Sequence, residues 1–149
     1  MHACNLGHFW PALWMMPDYD TCWPTGGEID ILETDIWNKK PLPYEVQGTY
    51  HWSKSTCFAD SSSGSVYPCD GCDFSADFHT YSMELTPRRL TFFVDNKPYH
   101  TVTQIMTGDT LPKHPMYIIL GLQMWQGWNY TTDIPAIFEI DWVRASSFA

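Results

Sequence analysis

Apolar and aromatic residues alternate with polar residues along much of the chain, in short segments that end at turn-forming residues. This alternation has the period of two that is typical of a half-buried β-strand, and the spacing of an amphipathic helix is nearly absent. The segments are rich in β-branched and aromatic residues, which favour strands. The predicted strands span residues 9–16, 28–34, 45–52, 78–86, 90–94, 98–105, 116–124 and 136–144.

Turn residues divide these segments and indicate how they connect. Residues 86–89 (TPRR) and 95–98 (DNKP) bracket one short strand, which predicts a three-stranded antiparallel meander. Residues 60–64 (DSSSG) and 69–72 (CDGC) are interpreted as exposed loop. We therefore expect an all-β fold, a β-sandwich, in a single domain over residues 1–149.

Charge and aromatic content narrow the possible partners. The chain has 8 Lys and Arg against 17 Asp and Glu, a formal net charge of −9, so nucleic acid or an anionic membrane surface would repel it. Aromatic residues make up 16% of the chain and include 8 Trp, a residue that is seldom wholly buried. Some Trp side chains are expected to line a surface. No apolar run approaches the ~18 residues of a membrane span.

The five cysteines are an odd number, which allows two disulfides and one free thiol in an oxidising compartment, with the pairing left open. Cys69 and Cys72 have the spacing of half a zinc site, but the sequence lacks the companion half. A loop disulfide or free thiols are therefore favoured over zinc. The residues after Met1 show neither the basic nor the apolar region of a signal peptide.

Three carboxylates fall within six positions of one predicted strand. Glu28 and Asp30 face the same side of a regular strand, whereas Glu33 would face the opposite side. One extra residue, a β-bulge at residues 31–32, returns Glu33 to the side of the other two. Like charges so close together raise at least one pKa, which suits an acid, a nucleophile and a carboxylate between them. The alternatives are a polar sheet face with unrelated acids or a calcium-binding edge.

Aromatic side chains lie upstream of these acids in the sequence. Sugars have flat C–H faces that stack on aromatic rings, and their hydroxyls hydrogen-bond to carboxylates. A groove that holds Trp10, Trp14 and Trp23 beside the three acids would meet both needs. The alternative is that these Trp residues belong to the core.

Two consecutive motifs, residues 9–17 (FWPALWMMP) and 27–33 (GEIDILE), resemble glycoside hydrolase family 16. Within that family, E-x-D-x-x-E marks the bulged subgroup of laminarinase-like β-1,3-glucanases, agarases and carrageenases. The resemblance covers nearly the whole chain, and it implies a jelly-roll, concanavalin A-like sandwich without its usual N-terminal strands. Residues 1–149 would then be the C-terminal portion of the catalytic domain. Further motifs in the family's order are residues 48–52 (GTYHW), 77–81 (DFHTY), 93–97 (FVDNK), 115–120 (PMYIIL) and 138–144 (FEIDWVR).

The resemblance also implies roles by position. Glu28 would be the nucleophile, Glu33 the general acid/base and Asp30 an assisting carboxylate. His51 would lie beside the cleavage point, although a strand histidine is more often simply hydrogen-bonded. The residues expected to stack on sugar rings are Trp10, Trp14 and Trp23.

The sequence departs from the family near residues 121–128, where members often have Asn and a Gly pair. Gln123 and Trp125 are expected to line the groove there, which leaves the polymer uncertain. Asp141 occupies the position at which many members bind a structural calcium ion, so calcium is a weak expectation. No cofactor is expected to be required.

These features predict an endo-acting, retaining β-glycan hydrolase, with β-1,3- or mixed β-1,3/1,4-glucans as the leading substrates. A non-catalytic carbohydrate-binding sandwich and a transglycosylase that uses the same two Glu residues are the alternatives. A polysaccharide substrate favours a secreted, extracellular protein. Because a truncated sandwich exposes strand edges and apolar surface, we also expect self-association.

Overall fold

A computed structural model describes residues 1–4, 9–34, 45–54, 56–57, 59–124 and 137–147. Within these ranges, no helix has the length and apolar character needed to cross a membrane. The elements are β1 (His2–Cys4), β2 (Phe9–Pro17), β3 (Glu28–Glu33), β4 (Gln47–Trp52), β5 (Ser61–Val66), β6 (Tyr81–Leu85), β7 (Arg89–Val94), β8 (Lys97–Thr103), α1 (Gln104–Thr107), β9 (Met116–Met124) and β10 (Ile137–Glu139).

Antiparallel pairing arranges the described strands in three sheets. The largest sheet has the order β5-β4-β3-β2-β9, a smaller sheet has the order β6-β7-β8, and β1 pairs with β10. The smaller sheet is the meander that its turn residues predict. Asp95 and Asn96 both have positive φ, 48° and 63°, in the tight turn between β7 and β8, a conformation that Asp and Asn tolerate better than most residues.

The two larger sheets pack face to face, which confirms the predicted sandwich. Apolar side chains of the large sheet, such as Ile29 and Tyr50, form one core cluster with Leu90 and Phe92 of the small sheet, and all four are fully buried. Gly48 of β4 lies against the Phe92 ring of the opposite layer. A Cβ atom added there would lie 2.6 Å from the Phe92 ring, so only glycine fits this contact.

Three sequence predictions differ from the structure. Residues 60–64, interpreted as loop, contribute to β5, because Ser61–Val66 forms six successive pairs with β4. Residues 98–105 do not continue as a strand to their end. The chain turns into α1, where the hydroxyl of Thr103 accepts a hydrogen bond from the Met106 amide. Residues 136–144 were predicted as one strand, but only Ile137–Glu139 is paired.

The structure pairs four of the five cysteines. Cys22 forms a disulfide with Cys57, and Cys69 forms one with Cys72. The zinc alternative for the CDGC segment is therefore wrong, because a disulfide has no thiolate to offer a metal. The side chain of Cys4 lies outside the described residues.

Apolar side chains on the inter-sheet face of β9 remain exposed. Ile118, Leu120 and Leu122 alternate along the strand and are 36–41% exposed. Self-association stays a prediction.

Candidate active site

A β-bulge interrupts β3 between its second and third carboxylates. Asp30 pairs with Thr49 and Glu33 pairs with Gln47, so three steps along β3 match two steps along β4. The pairing with β2 shows the same extra residue, since Leu13 and Trp14 are adjacent but oppose Leu32 and Asp30. The bulge predicted at residues 31–32 is confirmed. It turns the side chain of Glu33 to the face that Glu28 and Asp30 occupy.

The three carboxylates interact strongly on this face. Asp30 lies between the two glutamates and is only 2% exposed. Burial, followed by the charge of Asp30, raises the pKa of Glu28 to about 7, and a hydrogen bond between the two acids adds to this effect. Burial and the charge of Asp30 likewise raise the pKa of Glu33 to about 8. Both glutamates therefore titrate near neutral pH instead of near 4.5.

His51 lies on β4 directly opposite Glu28. Its Nε2 atom is 3.3 Å from Asp30 Oδ2, and its Nδ1 atom is 3.0 Å from Asp60 Oδ2. Burial disfavours the charged ring, but the hydrogen bonds to Asp30 and Asp60 outweigh this cost and raise the pKa of His51 to about 9. The site therefore holds one cation among its acids at neutral pH.

The three predicted Trp residues all lie near the acids. Trp23 is 40% exposed, and its Nε1 atom donates a hydrogen bond to Glu28 Oε2. A hydrogen bond from Trp10 is among the contacts that lower the pKa of Glu33. Trp14 pairs with Asp30 in the sheet, so its side chain extends from the same face as that carboxylate. Stacking of these rings on sugars remains a prediction.

The other predicted site residues lie further from the acids or outside the described ranges. Gln123 is exposed on β9 and pairs with Trp10 of β2, so it shares the groove face. Trp125 lies outside the described residues. Asp141 lines a small cavity with Met1 and His79, and none of the three acids lines that cavity. Among the described residues no group of three possible metal-ligating acids, His or Cys is found, and calcium stays an expectation.

Two residues of this face escaped the sequence reasoning. The sequence predicts a loop at Asp60. The contact of Asp60 with His51 depends on the pairing of β5 with β4, and the serine-rich β5 segment has no alternating apolar residues from which a strand could be predicted. Tyr117 pairs with Met16, on the Trp14 side of β2, and is 47% exposed. The alternation along β9 could have identified Tyr117, because Tyr117 and Gln123 are six residues apart and so face the same side of the strand.

The arrangement combines the parts that acid–base chemistry on a sugar requires. Two glutamates with raised pKa values flank a buried aspartate, and a histidine cation and an indole donor contact the same cluster. Exposed and half-buried indole rings border it. A polar ligand with flat apolar faces would find donors, acceptors and rings on a single surface.

Comparison with known proteins identifies relatives of this architecture. The chain is 32% identical over 91% of its length to glucan endo-1,3-beta-glucosidase A1 of Niallia circulans, of which it covers 21%. It is 30% identical to the laminarinase catalytic domain from Thermotoga maritima, with a TM-score of 0.67 over 87% of this chain and 54% of that one. For a Bacteroides ovatus mixed-linkage glucan protein in complex with a G4G4G3G product, the identity is 28% and the TM-score is 0.65, over 80% of this chain and 51% of that one.

The chain thus spans about half the length of the solved chains it matches and a smaller share of the curated relative. The sequence pattern of glycosyl hydrolases family 16 matches residues 3–144, nearly the full chain. The likeness in sequence and the shared jelly-roll fold agree with the acidic bulge described above. This chain belongs to glycosyl hydrolases family 16.

Proposed function

We propose that this chain carries the catalytic centre of an endo-acting β-glycan hydrolase that retains the anomeric configuration. The observation that carries the proposal is the bulge in β3, because it brings Glu28, Asp30 and Glu33 to one face. A retaining glycosidase needs an ionised carboxylate and a protonated carboxylic acid at the same pH. The raised pKa values of the two glutamates meet this need near neutrality.

The position of each acid in the E-x-D-x-x-E motif of the family supports one assignment of roles. The first glutamate, Glu28, is the nucleophile, and Glu33, whose pKa is raised by burial and by the charge of Asp30, is the general acid. Glu33 protonates the glycosidic oxygen while Glu28 attacks the anomeric carbon, which breaks the glycosidic bond and forms a glycosyl-enzyme ester. The Glu33 carboxylate then takes a proton from water, whose oxygen attacks the anomeric carbon and releases Glu28.

Asp30 supports both glutamates in this scheme. It is hydrogen-bonded to Glu28, and its charge is the second-largest cause, after burial, of the raised pKa of Glu33. Asp30 therefore orients the nucleophile and keeps the general acid protonated. Trp23 donates a second hydrogen bond to Glu28 and helps to hold that carboxylate in place.

The pH dependence of hydrolysis is expected to be bell-shaped and narrow. Activity should rise as Glu28 ionises, near pH 7, and fall as Glu33 ionises, near pH 8. The variant Glu33→Gln should lose most of its activity on laminarin, and its residual rate should lack the alkaline limb, because the group that ionises there is gone. Initial rates of kcat/KM between pH 5 and 10, roughly the range over which both limbs are resolved, measure this. A flat profile through this range would contradict the paired roles.

We propose β-1,3- or mixed β-1,3/1,4-glucans as the substrates. The named activities of the relatives support this choice, as does the E-x-D-x-x-E spacing beside Trp23 and His51. We expect reducing ends and a ladder of oligosaccharides from laminarin and lichenan, and little product from agarose and carrageenan. Binding without product would indicate a carbohydrate-binding sandwich, and transfer to added oligosaccharides instead of water would indicate a transglycosylase.

We further propose that residues 1–149 act as the C-terminal portion of a catalytic domain in an extracellular setting. The disulfides Cys22–Cys57 and Cys69–Cys72 support such a setting, because disulfides persist in oxidising compartments.

A further inference from the structure

We propose that Asp60 is a positioning residue of this active site, which holds the ring of His51 as an imidazolium against Asp30. Asp60 immediately precedes β5, in which Ser62 pairs with His51. It reaches the ring from the side opposite to Asp30. The effect of Asp60 on catalysis rests on the proposed function, whereas the effect of Asp60 on the protonation of His51 does not.

Both ring nitrogens of His51 have a carboxylate partner. Nε2 lies 3.3 Å from Asp30, and Nδ1 lies 3.0 and 3.2 Å from the two oxygens of Asp60. A neutral imidazole has one N–H and can donate to only one of these partners, whereas an imidazolium donates to both. Two carboxylates on opposite sides of the ring therefore favour the charged form and fix the ring plane.

The cation matters because of the charges that face it. From β3 these are Glu28, Asp30 and Glu33, and from the segment before β5 there is Asp60. Two further contacts of His51 within the described residues carry no charge: the Trp23 ring lies 5.9 Å from the His51 ring, and Ser62 pairs with His51 on β5. The positive ring lowers the pKa of both glutamates against the opposing effect of Asp30. Without it, Glu28 would ionise only at higher pH.

The fold ties Asp60 to the rest of the site. Cys57, three residues before Asp60, is bonded to Cys22, the neighbour of Trp23. Trp23 in turn contacts both Glu28 and His51. The segment with Asp60 and the segment with Trp23 are thus cross-linked on one rim of the acidic cluster. Asp60 acts through His51, so it is a positioning residue and not a catalytic one.

The test uses Asp60→Asn in the full chain, with His51 titrated by NMR. The loss of a carboxylate this close should lower the His51 midpoint by about 1–3 pH units. The acid limb of kcat/KM on laminarin should move to higher pH, because Glu28 loses a nearby cation. The variant Asp60→Glu, which keeps the charge, should retain most of the raised midpoint. Asp70→Asn removes the same charge from an exposed position in the CDGC segment and should change neither quantity.

The outcomes separate this proposal from the proposed function. If the wild type releases no product from any glucan, the proposed function fails, and the His51 titration still decides the role of Asp60. If Asp60→Asn remains folded but leaves both the midpoint and the acid limb unchanged, the proposal is overturned. Should that variant unfold, Asp60→Ser provides a second neutral replacement for the same two measurements.

Discussion

Replacement of Glu28 by Gln is expected to abolish hydrolysis of laminarin while binding is retained. Gln keeps the shape of the side chain but cannot attack the anomeric carbon, so kcat/KM should fall by at least ~10³-fold. The indole of Trp23 can still donate to the amide oxygen, so the groove should keep its form. Reducing-end release measures the loss, and calorimetric titration with laminarin oligosaccharides measures the binding.

A matched control removes one carboxylate charge at a position outside the acidic cluster. Glu84 lies on β6 in the smaller sheet, and its carboxylate contacts Arg89 at 3.3 Å. Exposed pairs of this kind contribute little to stability, so Glu84→Gln should keep nearly full activity. Wild-type rates in Glu28→Gln would refute the nucleophile assignment, and equal losses in both variants would indicate a general effect of charge.

The variant Glu33→Gln is expected to stabilise the folded protein at alkaline pH and to have little effect near pH 4. Burial and neighbouring charge raise the pKa of Glu33 from 4.5 to about 8 in the folded state. Folding therefore favours the protonated acid. The resulting stabilisation is complete below the pKa that Glu33 has in the unfolded chain, and it is lost as the pH rises through the pKa that Glu33 has in the folded protein. A neutral amide at this position avoids the loss.

The expected gain is substantial for a chain of this size. Each unit of difference in pKa between the folded and unfolded states is about 1.4 kcal/mol, so after allowance for solvent the gain at pH 9 is roughly 2–4 kcal/mol. A gain of this size corresponds to a rise in Tm of roughly 5–10 °C. The pKa of His51 is also raised, from 6.5 to about 9, so the free energy of unfolding falls further as the pH rises through this interval. Glu33→Gln retains His51 and should show this second decrease.

Thermal unfolding followed by circular dichroism from pH 4 to 9, roughly the interval in which Glu33 and His51 titrate, provides the measurement. The Tm curves of wild type and Glu33→Gln should converge at the acid end and separate above neutrality. The variant Glu84→Gln should follow the wild type throughout. A constant offset between wild type and Glu33→Gln at all pH values would mean that Glu33 is not held protonated by the fold.

The acidic bulge was predictable because it depends on local chain geometry. Alternation places Glu28 and Asp30 on one side, and a single extra residue is the simplest way to bring Glu33 to join them. The meander was predictable for the same reason, since Asp95 and Asn96 are suited to the positive φ that its turn requires. Such features follow from a few consecutive residues.

The cysteine pairing and the role of Asp60 could not be derived in this way. Cys22 and Cys57 are separated by 35 residues, and only the packing of the segment before β3 beside the segment after β4 brings them together. The serines of β5 show no apolar alternation, and that strand forms because the edge of β4 offers unpaired backbone groups. Asp60 reaches His51 as a result of that pairing.

The sequence by itself determined the all-β class, the sandwich, the bulge and the set of acids and indoles at its centre. Each depends on residue type and on the period of two along single strands. Only the tertiary structure decided which side chains meet: the hydrogen bond of Trp23 to Glu28, the histidine between two aspartates, and the burial that raises the pKa values of both glutamates. Contact and desolvation arise between strands that are distant in the chain, so no local pattern encodes them.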